Sequence, residues 1–211
     1  MASIIRRPFN YTFKKATFAI MLINVAIYLL EKIFPEIMFY LSLNVRNVLG
    51  YGMYWEPFTY MFVHGNFQHI LFNMIALFFF GLSVERALGT KEFLLMYFVC
   101  GILGGLFSLC FYFLTGLFGV YLMGASGAVY SMLLAYAVIF PRNKIWIWGI
   151  IPVPAPILVL AYAIIEIISE VTGFRSGIAH TVHLAGFAFA WMYFVIRMGI
   201  NPAKIWKDAY R

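Results

Sequence analysis

Two short polar groups interrupt apolar stretches of this 211-residue chain. The first is Gly124-Ala125-Ser126-Gly127, at the start of one apolar run, and the second is His183, near the start of another. Polar side chains at membrane depth are costly, so a hydroxyl and an imidazole there require an explanation. A serine next to a histidine can act as a nucleophile activated by a general base. The chemistry that we expect from the pair is hydrolysis of a peptide bond.

The composition indicates that this chain is a membrane protein. Hydrophobic residues make up 64% of the chain and charged residues 11%, which excludes a water-soluble domain of this length. We predict an all-α polytopic membrane protein, with residues 1–211 forming a single membrane domain around six transmembrane helices. The first loop, residues 35–65, mixes aromatic and polar residues and is expected to lie in the outer interface. The spans are predicted at about 16–34, 70–84, 93–115, 126–140, 151–168 and 180–197.

The net charge of +7 could indicate a nucleic-acid partner, but the basic residues are distributed by membrane side. If the N-terminus is cytoplasmic, the outer segments hold only Lys32, Arg46 and Arg175. This bias predicts that both termini are cytoplasmic, that the chain is surrounded by lipid, and that no nucleic acid is bound. The inner segments hold Arg6, Arg7, Lys14, Lys15, Arg86, Lys91, Arg142, Lys144, Arg197, Lys204, Lys207 and Arg211.

Helix geometry brings the polar groups to one depth. At a rise of about 1.5 Å per residue, Ser126 lies about 24 Å from the inner-side Arg142, and His183 about 21 Å from Arg197. His69 lies about 24 Å from the inner-side Glu85. Three helices therefore place polar groups in one layer below the outer surface of a hydrocarbon core about 30 Å thick. One turn further along the same helix faces lie Asn73, below His69, and Tyr130, below Ser126.

Each polar group also has a purely structural interpretation. Small-residue runs such as residues 124–127 commonly allow membrane helices to pack closely. An intramembrane histidine or asparagine often serves only as a hydrogen-bonding partner between helices, and Tyr130 alone is typical of a core residue. Packing does not require a common depth, however, so the joint pattern favours a site.

The residue types exclude one alternative mechanism and argue against a second. Aspartyl proteolysis needs two aspartates, and the chain contains one, Asp208 in the C-terminal segment. A zinc protease would show a pattern such as HExxH, but no nearby acid in the sequence completes the pair His180 and His183, so no metal or other cofactor is predicted. Serine chemistry remains, with Ser126 as nucleophile and His183 as base.

No aspartate is available to orient the imidazole, so a Ser-His dyad is expected. Tyr130 could hold the ring of His183 by stacking on it. Glu166, in the fifth span, is an acid within reach, and we favour a local hydrogen-bond anchor as its role. The developing oxyanion would be stabilised by backbone N–H groups at the start of the fourth span, with His69 and Asn73 as further donors.

At these residues the chain resembles the rhomboid family of intramembrane serine proteases. The resemblance implies a minimal six-span core of prokaryotic type in a bacterial inner membrane, which cleaves transmembrane segments of membrane proteins near the outer face. It also implies roles for Ser126 and His183 in catalysis, for His69, Asn73 and the Ser126 N–H in the oxyanion hole, and for Tyr130 in packing on the histidine, with Gly124 and Gly127 in support. The matching segments, in family order, are HGNFQHILFN (64–73), ERALG (85–89), GASGAVY (124–130), IPVPAP (151–156) and HTVHLAG (180–186).

Two positions depart from the family pattern. The first loop reads Trp55-Glu56 where many members carry Trp-Arg, and Ala190 stands where a second glycine is usual. Two other functions remain open. A rhomboid-like protein that binds membrane helices without cleaving them would tolerate the loss of Ser126 or His183, and both are present. A transporter would predict internal repeats and a midplane site, neither of which the sequence indicates.

Overall fold

The computed structural model describes residue 6 and residues 8–147, 149–172 and 180–211. Within them, five helices are long and apolar enough to cross a membrane, and a shorter apolar helix joins them. The predicted six-helix, all-α membrane bundle is confirmed, and the chain is a multi-pass integral membrane protein. The helices are span 1 (Ala16–Ile33), span 2 (Phe67–Leu88, with a π-helical turn at Leu77–Gly81), span 3 (Thr90–Leu114), span 4 (Ser126–Ile139), span 5 (Ala155–Thr172) and span 6 (His180–Met198, ending in a π-helical segment, Phe194–Met198).

Shorter elements lie between and after the spans. The first loop contains the helices Ile37–Leu41, Val45–Gly50 and Glu56–Thr59 and the 3-10 turn Tyr60–Phe62. The chain ends with the helix Pro202–Ala209. Of the basic residues used above to predict orientation, Arg7 and Arg175 lie outside the described residues.

Span 5 begins later than the sequence predicted. We expected it near residue 151, but Ile151–Pro154 forms strand β2, which pairs antiparallel with β1, Lys144–Ile147. Proline lacks an N–H and disfavours helical backbone in the residue before it, so the prolines of this segment keep the chain extended. The helix starts at Ala155, with Pro156 in the first turn, where proline is tolerated.

Span 4 lies at the centre of the bundle and contacts spans 2, 3, 5 and 6. Its closest neighbour is span 6, because a β-carbon built on Gly186 would lie only 2.2 Å from the carbonyl oxygen of Gly127. Ala190, one turn beyond Gly186, is completely buried. The alanine at this departure from the family pattern is therefore accommodated inside the bundle.

The Glu85 carboxylate, on span 2, hydrogen-bonds with spans 1 and 3 at the end of the bundle away from Ser126. Glu85 accepts hydrogen bonds from the backbone N–H groups of Ala16 (2.7 Å) and Thr17 (2.9 Å), which span 1 leaves unpaired at its first turn. It also accepts from the hydroxyl of Thr90, at the start of span 3 (2.7 Å). At the same end of the bundle, the Arg142 guanidinium donates to the carbonyl of Ala209.

At the opposite end, a buried acid organises the first loop. Glu56 is fully buried and accepts hydrogen bonds from the backbone N–H of Asn44 (2.9 Å) and the side-chain amide of Asn47 (2.8 Å). Burial raises the pKa of the Glu56 carboxyl, and these two donors partly offset the effect. At this departure from the family pattern, the loop is stabilised by a carboxylate that accepts hydrogen bonds.

Candidate active site

The loop before Ser126 is fixed by backbone contacts with the first loop. Leu43 and Leu122 exchange two hydrogen bonds, of 2.9 and 2.8 Å. Two residues later, the N–H of Gly124 donates to the carbonyl of Tyr60 at 2.9 Å. Gly124 has φ +116°, which L side chains rarely adopt. The chain can therefore turn sharply into span 4, whose first residue is Ser126.

His183 faces Ser126 from the neighbouring span 6. Its Nε2 lies 2.8 Å from the Ser126 Oγ, and both side chains are buried. The close approach of the two helices at Gly127 and Gly186 allows this short distance. The structure thus brings together the two residues that we selected as nucleophile and base.

The ring of Tyr130 lies flat against His183. Their ring centroids are 4.2 Å apart and the planes differ by 10°, a stacked arrangement. Tyr130 is one turn after Ser126 on span 4, so one helix provides both the residue that contacts Nε2 and the residue that supports the ring face. This placement agrees with the stacking that we expected.

Glu166 lies closer to the candidate catalytic pair than the sequence indicates. Its carboxylate, on span 5, lies between the two histidines of span 6: Oε1 is 3.1 Å from Nδ1 of His183, and Oε2 hydrogen-bonds with Nδ1 of His180. The Tyr130 hydroxyl donates to the same Oε1 at 2.5 Å. The sequence favours a local hydrogen-bond anchor as the role of this acid, but in the structure it contacts the histidine paired with Ser126.

The same carboxylate adds an acid to the pair His180 and His183, which has no acidic neighbour in the sequence. Glu166, His180 and His183 each offer one donor atom, and these atoms lie within 4.8 Å of one another. Such a set could accept a transition metal ion. The hydrogen bond between Glu166 and His180 already explains their contact without a metal ion.

His69 and Asn73 reach the site from span 2. The His69 ring covers Gly124, because a β-carbon there would lie 2.6 Å from two of its ring atoms. The buried Asn73 donates its side-chain amide to the carbonyl of His69 at 2.9 Å. Among the described residues, Asn73 makes no hydrogen bond with Ser126 or His183. The structure therefore places His69 at the serine loop and Asn73 one turn below it.

His64 is a site residue to which the sequence analysis assigned no role. Its Nδ1 lies 3.2 Å from the carbonyl of Phe62, and its Nε2 lies 3.4 Å from the N–H of Ala125, the residue before Ser126. These contacts require Nδ1 to carry the hydrogen and Nε2 to accept. Burial lowers the pKa of His64 to about 3, so the ring is neutral. The sequence feature that could have indicated this role is the position of His64 as the first histidine of the HGNFQH segment (64–69).

The arrangement has the parts that acyl transfer requires. A hydroxyl lies within hydrogen-bonding distance of an imidazole, and a carboxylate and a tyrosine fix that imidazole. The first N–H groups of span 4 have no partner within the helix and point toward the serine end. A carbonyl group that approached Ser126 could place its oxygen near these donors.

Comparison with known proteins identifies the group to which the chain belongs. A family model described as the rhomboid domain matches residues 51–199. The chain belongs to the rhomboid family. This match includes Ser126, His183 and the side chains around them described above, and it confirms the resemblance found in the sequence.

Individual rhomboid relatives show moderate identity. RHOMBOID-like protein 12, mitochondrial, of Arabidopsis thaliana is 34% identical over 149 residues, which cover 63% of this chain and 43% of the relative. Rhomboid protein 1, mitochondrial, of Saccharomyces cerevisiae is 39% identical over 94 residues, which cover 44% and 27%. Rhomboid protease AarA of Providencia stuartii is 28% identical over 199 residues, which cover 81% and 68%. The chain spans less than half of the length of the first two relatives.

Proposed function

We propose that this rhomboid is an intramembrane serine endopeptidase that cleaves transmembrane segments of membrane proteins. The observation that carries the proposal is the 2.8 Å contact between the Ser126 Oγ and the His183 Nε2 within a membrane bundle. The name of one relative, a rhomboid protease from Providencia stuartii, supports the same activity.

In the proposed reaction, the Ser126 Oγ attacks the carbonyl carbon of the scissile bond while His183 Nε2 takes the hydroxyl proton. The carbonyl oxygen becomes an oxyanion, which the N–H of Ser126, the positive end of span 4, and the side chains of His69 and Asn73 stabilise. His183 then returns the proton to the leaving amine. Water hydrolyses the acyl-enzyme in a second step of the same kind.

The depth and side of cleavage follow from the proposed orientation. The basic residues favour cytoplasmic termini, which places the serine end of span 4 toward the outer face, in a bacterial inner membrane by analogy with prokaryotic members. Carbonyl groups in an intact helix are hydrogen-bonded, so a substrate segment must unwind before Ser126 can attack. Substrates with glycine or proline near the outer face should therefore be cleaved faster than stable polyleucine helices.

The direct test is cleavage of a transmembrane reporter by the purified protein in detergent, together with labelling by a fluorophosphonate probe. We expect Ser126→Ala and His183→Ala to abolish cleavage, and Ser126→Ala to abolish labelling. Ser131→Ala is the matched control, because Ser131 is a buried serine on the same helix that donates to the carbonyl of Ala128 instead. Its cleavage rate should stay close to that of the wild type.

A rhomboid that binds membrane helices without cleaving them is the alternative. It would leave the reporter intact and Ser126 unlabelled, and wild-type protein and Ser126→Ala would retain the reporter equally in a pull-down. Full cleavage by Ser126→Ala or His183→Ala would remove these residues from the mechanism.

A further inference from the structure

We propose that Glu166 is a positioning residue for His183, which it supports at Nδ1 while the ring acts on Ser126 through Nε2. This rests on the function proposed above. The imidazole lies between the two partners: Nε2 is 2.8 Å from the Ser126 Oγ, and Nδ1 is 3.1 Å from the Glu166 Oε1. The three residues come from spans 4, 6 and 5, so only the folded bundle brings them together.

The chemistry of the imidazole shows what an acceptor at Nδ1 can contribute. His183 can take a proton at Nε2 only if Nδ1 carries the ring hydrogen. During the attack, the Ser126 proton moves to Nε2 as the Oγ–carbon bond forms, and the ring becomes a cation. Glu166 stays ionised throughout and stabilises that cation through Nδ1. The proton then leaves Nε2 for the leaving amine, so Glu166 neither gains nor loses one.

The contact between His183 Nδ1 and the Glu166 carboxylate is short, but it is poorly aligned for a hydrogen bond. Nδ1 of His183 is buried and makes no well-aligned hydrogen bond, although the Glu166 oxygen is 3.1 Å away. Hydrogen bonds of catalytic groups are often poorly aligned in the free enzyme and tighten when substrate binds.

The carboxylate itself is held firmly. Glu166 is buried, its Oε1 accepts the hydroxyl of Tyr130 at 2.5 Å, and its Oε2 hydrogen-bonds with His180. Tyr130 also stacks on His183. One tyrosine therefore fixes both the plane of the imidazole and the oxygen that faces its Nδ1. Such placement gives a role to an acid within an apolar helix, where an ionisable side chain is costly.

A second acid on the same helix provides a matched control. Glu170 lies one turn after Glu166 and accepts a hydrogen bond from the Thr181 hydroxyl at 3.2 Å, so it also joins spans 5 and 6. Unlike Glu166, Glu170 is exposed and belongs to no described contact with His183. Removing its charge tests the effect of a link between spans 5 and 6 that does not involve the imidazole.

The test compares kcat and KM for a transmembrane reporter in Glu166→Gln, Glu166→Asp and Glu170→Gln. In serine proteases, changing the carboxylate beside the catalytic histidine to an amide lowers kcat about 10⁴-fold. We expect Glu166→Gln to lower kcat by about 10²-fold to 10⁴-fold with KM within about threefold, and Glu166→Asp to retain more activity because it keeps the charge. Glu170→Gln should stay within about threefold of the wild type.

If Glu166 had only a structural role, the order of activities would be reversed, with Glu166→Gln more active than Glu166→Asp. Glutamine keeps the length and one acceptor oxygen, so Glu166→Gln would then be close to the wild type, and the shorter Glu166→Asp would be worse. That result would overturn the proposal. A wild-type rate that falls with a chelator and recovers with Zn²⁺ would also overturn it, because the cluster would then be a metal centre.

A spectroscopic readout separates this proposal from the proposed function. The chain has four histidines, so ¹⁵N-histidine labelling, with His183→Gln for assignment, can report the tautomer of His183. The wild type should carry its hydrogen on Nδ1, and Glu166→Gln should shift both ring nitrogens of His183, whereas Glu170→Gln should not. Unchanged His183 signals in Glu166→Gln would contradict the positioning role even if the protein cleaved nothing. A changed tautomer without any cleavage would refute only the protease function.

Discussion

The α-carbon of Gly186 faces the carbonyl oxygen of Gly127 so closely that a β-carbon would lie 2.2 Å from that oxygen. The obstacle is backbone, which a rotamer change cannot remove. Ser126 and His183 are each within one turn of this crossing, on the two helices that form it. The separation of spans 4 and 6 therefore sets the distance between the hydroxyl and the imidazole.

Gly186→Ala should force these helices apart. We expect cleavage to fall by at least about tenfold and the unfolding free energy to fall by about 1–3 kcal/mol, as for other overpacked cores. Both can be measured in detergent, by reporter cleavage and by the thermal unfolding midpoint. Ala190→Gly, one turn away on span 6, removes a methyl group and is the control, with activity expected near the wild type. Normal cleavage by Gly186→Ala would contradict the proposed role of the crossing.

Asn73→Ala tests the proposed oxyanion donor. Loss of one such donor typically lowers kcat by about 10²-fold to 10³-fold, and we expect a loss in this range with KM little changed. Asn24→Ala is a close control, since Asn24 is also buried and also donates to the carbonyl four residues earlier, at Ile20 (2.7 Å), but within span 1. Equal losses of kcat in the two variants would show that Asn73 only supports its helix.

His64 should make stability depend on pH. Burial lowers the pKa of its ring to about 3 in the folded protein, whereas an unfolded histidine has a pKa of about 6.5. Between these values the unfolded state binds more protons, so the unfolding free energy decreases as pH falls below about 6.5, by at most about 1.4 kcal/mol per pH unit.

The measurement for this prediction is the unfolding midpoint at pH 7.5 and pH 5.5, compared between wild type and His64→Gln. Glutamine can accept from the Ala125 N–H through its oxygen but does not titrate. The wild type should therefore lose more of its stability at the lower pH than His64→Gln, so that the difference between their unfolding midpoints narrows or reverses. The same difference at both values would mean that His64 is not held neutral by the fold.

Glu56→Ala should loosen the first loop. It would leave the buried N–H of Asn44 without its acceptor, at a cost of about 1–3 kcal/mol. The Asn47 amide would lose one of its two acceptors and keep the carbonyl of Phe39. We expect a clear fall in the unfolding midpoint and slower cleavage, because the backbone bridge next to Asn44, between Leu43 and Leu122, leads to the serine loop. Glu36→Ala, which changes an exposed acid in the same loop, should have no such effect, and an equal effect would contradict the argument.

The fold was largely accessible from the sequence, because long apolar runs dominate its signal. The apolar stretches indicated six membrane helices, and the position of charges relative to polar groups indicated a common layer. The start of span 5 was misplaced, since Ile151–Pro154 is apolar and hydropathy alone does not register the effect of proline on backbone conformation.

The candidate site was also only partly predictable from the sequence. The sequence by itself determined that Ser126, His183 and His69 share a depth, with Tyr130 one turn below Ser126, because helical rise fixes position along each axis. Only the tertiary structure decided which way the helices face one another, and so placed Glu166 of span 5 against Nδ1 of His183 and His64 of the first loop against the N–H of Ala125. Those contacts join residues 17 and 61 positions apart in the chain. Rotation and packing of separate helices, which depend on side-chain fit across the whole bundle, leave no local sequence pattern.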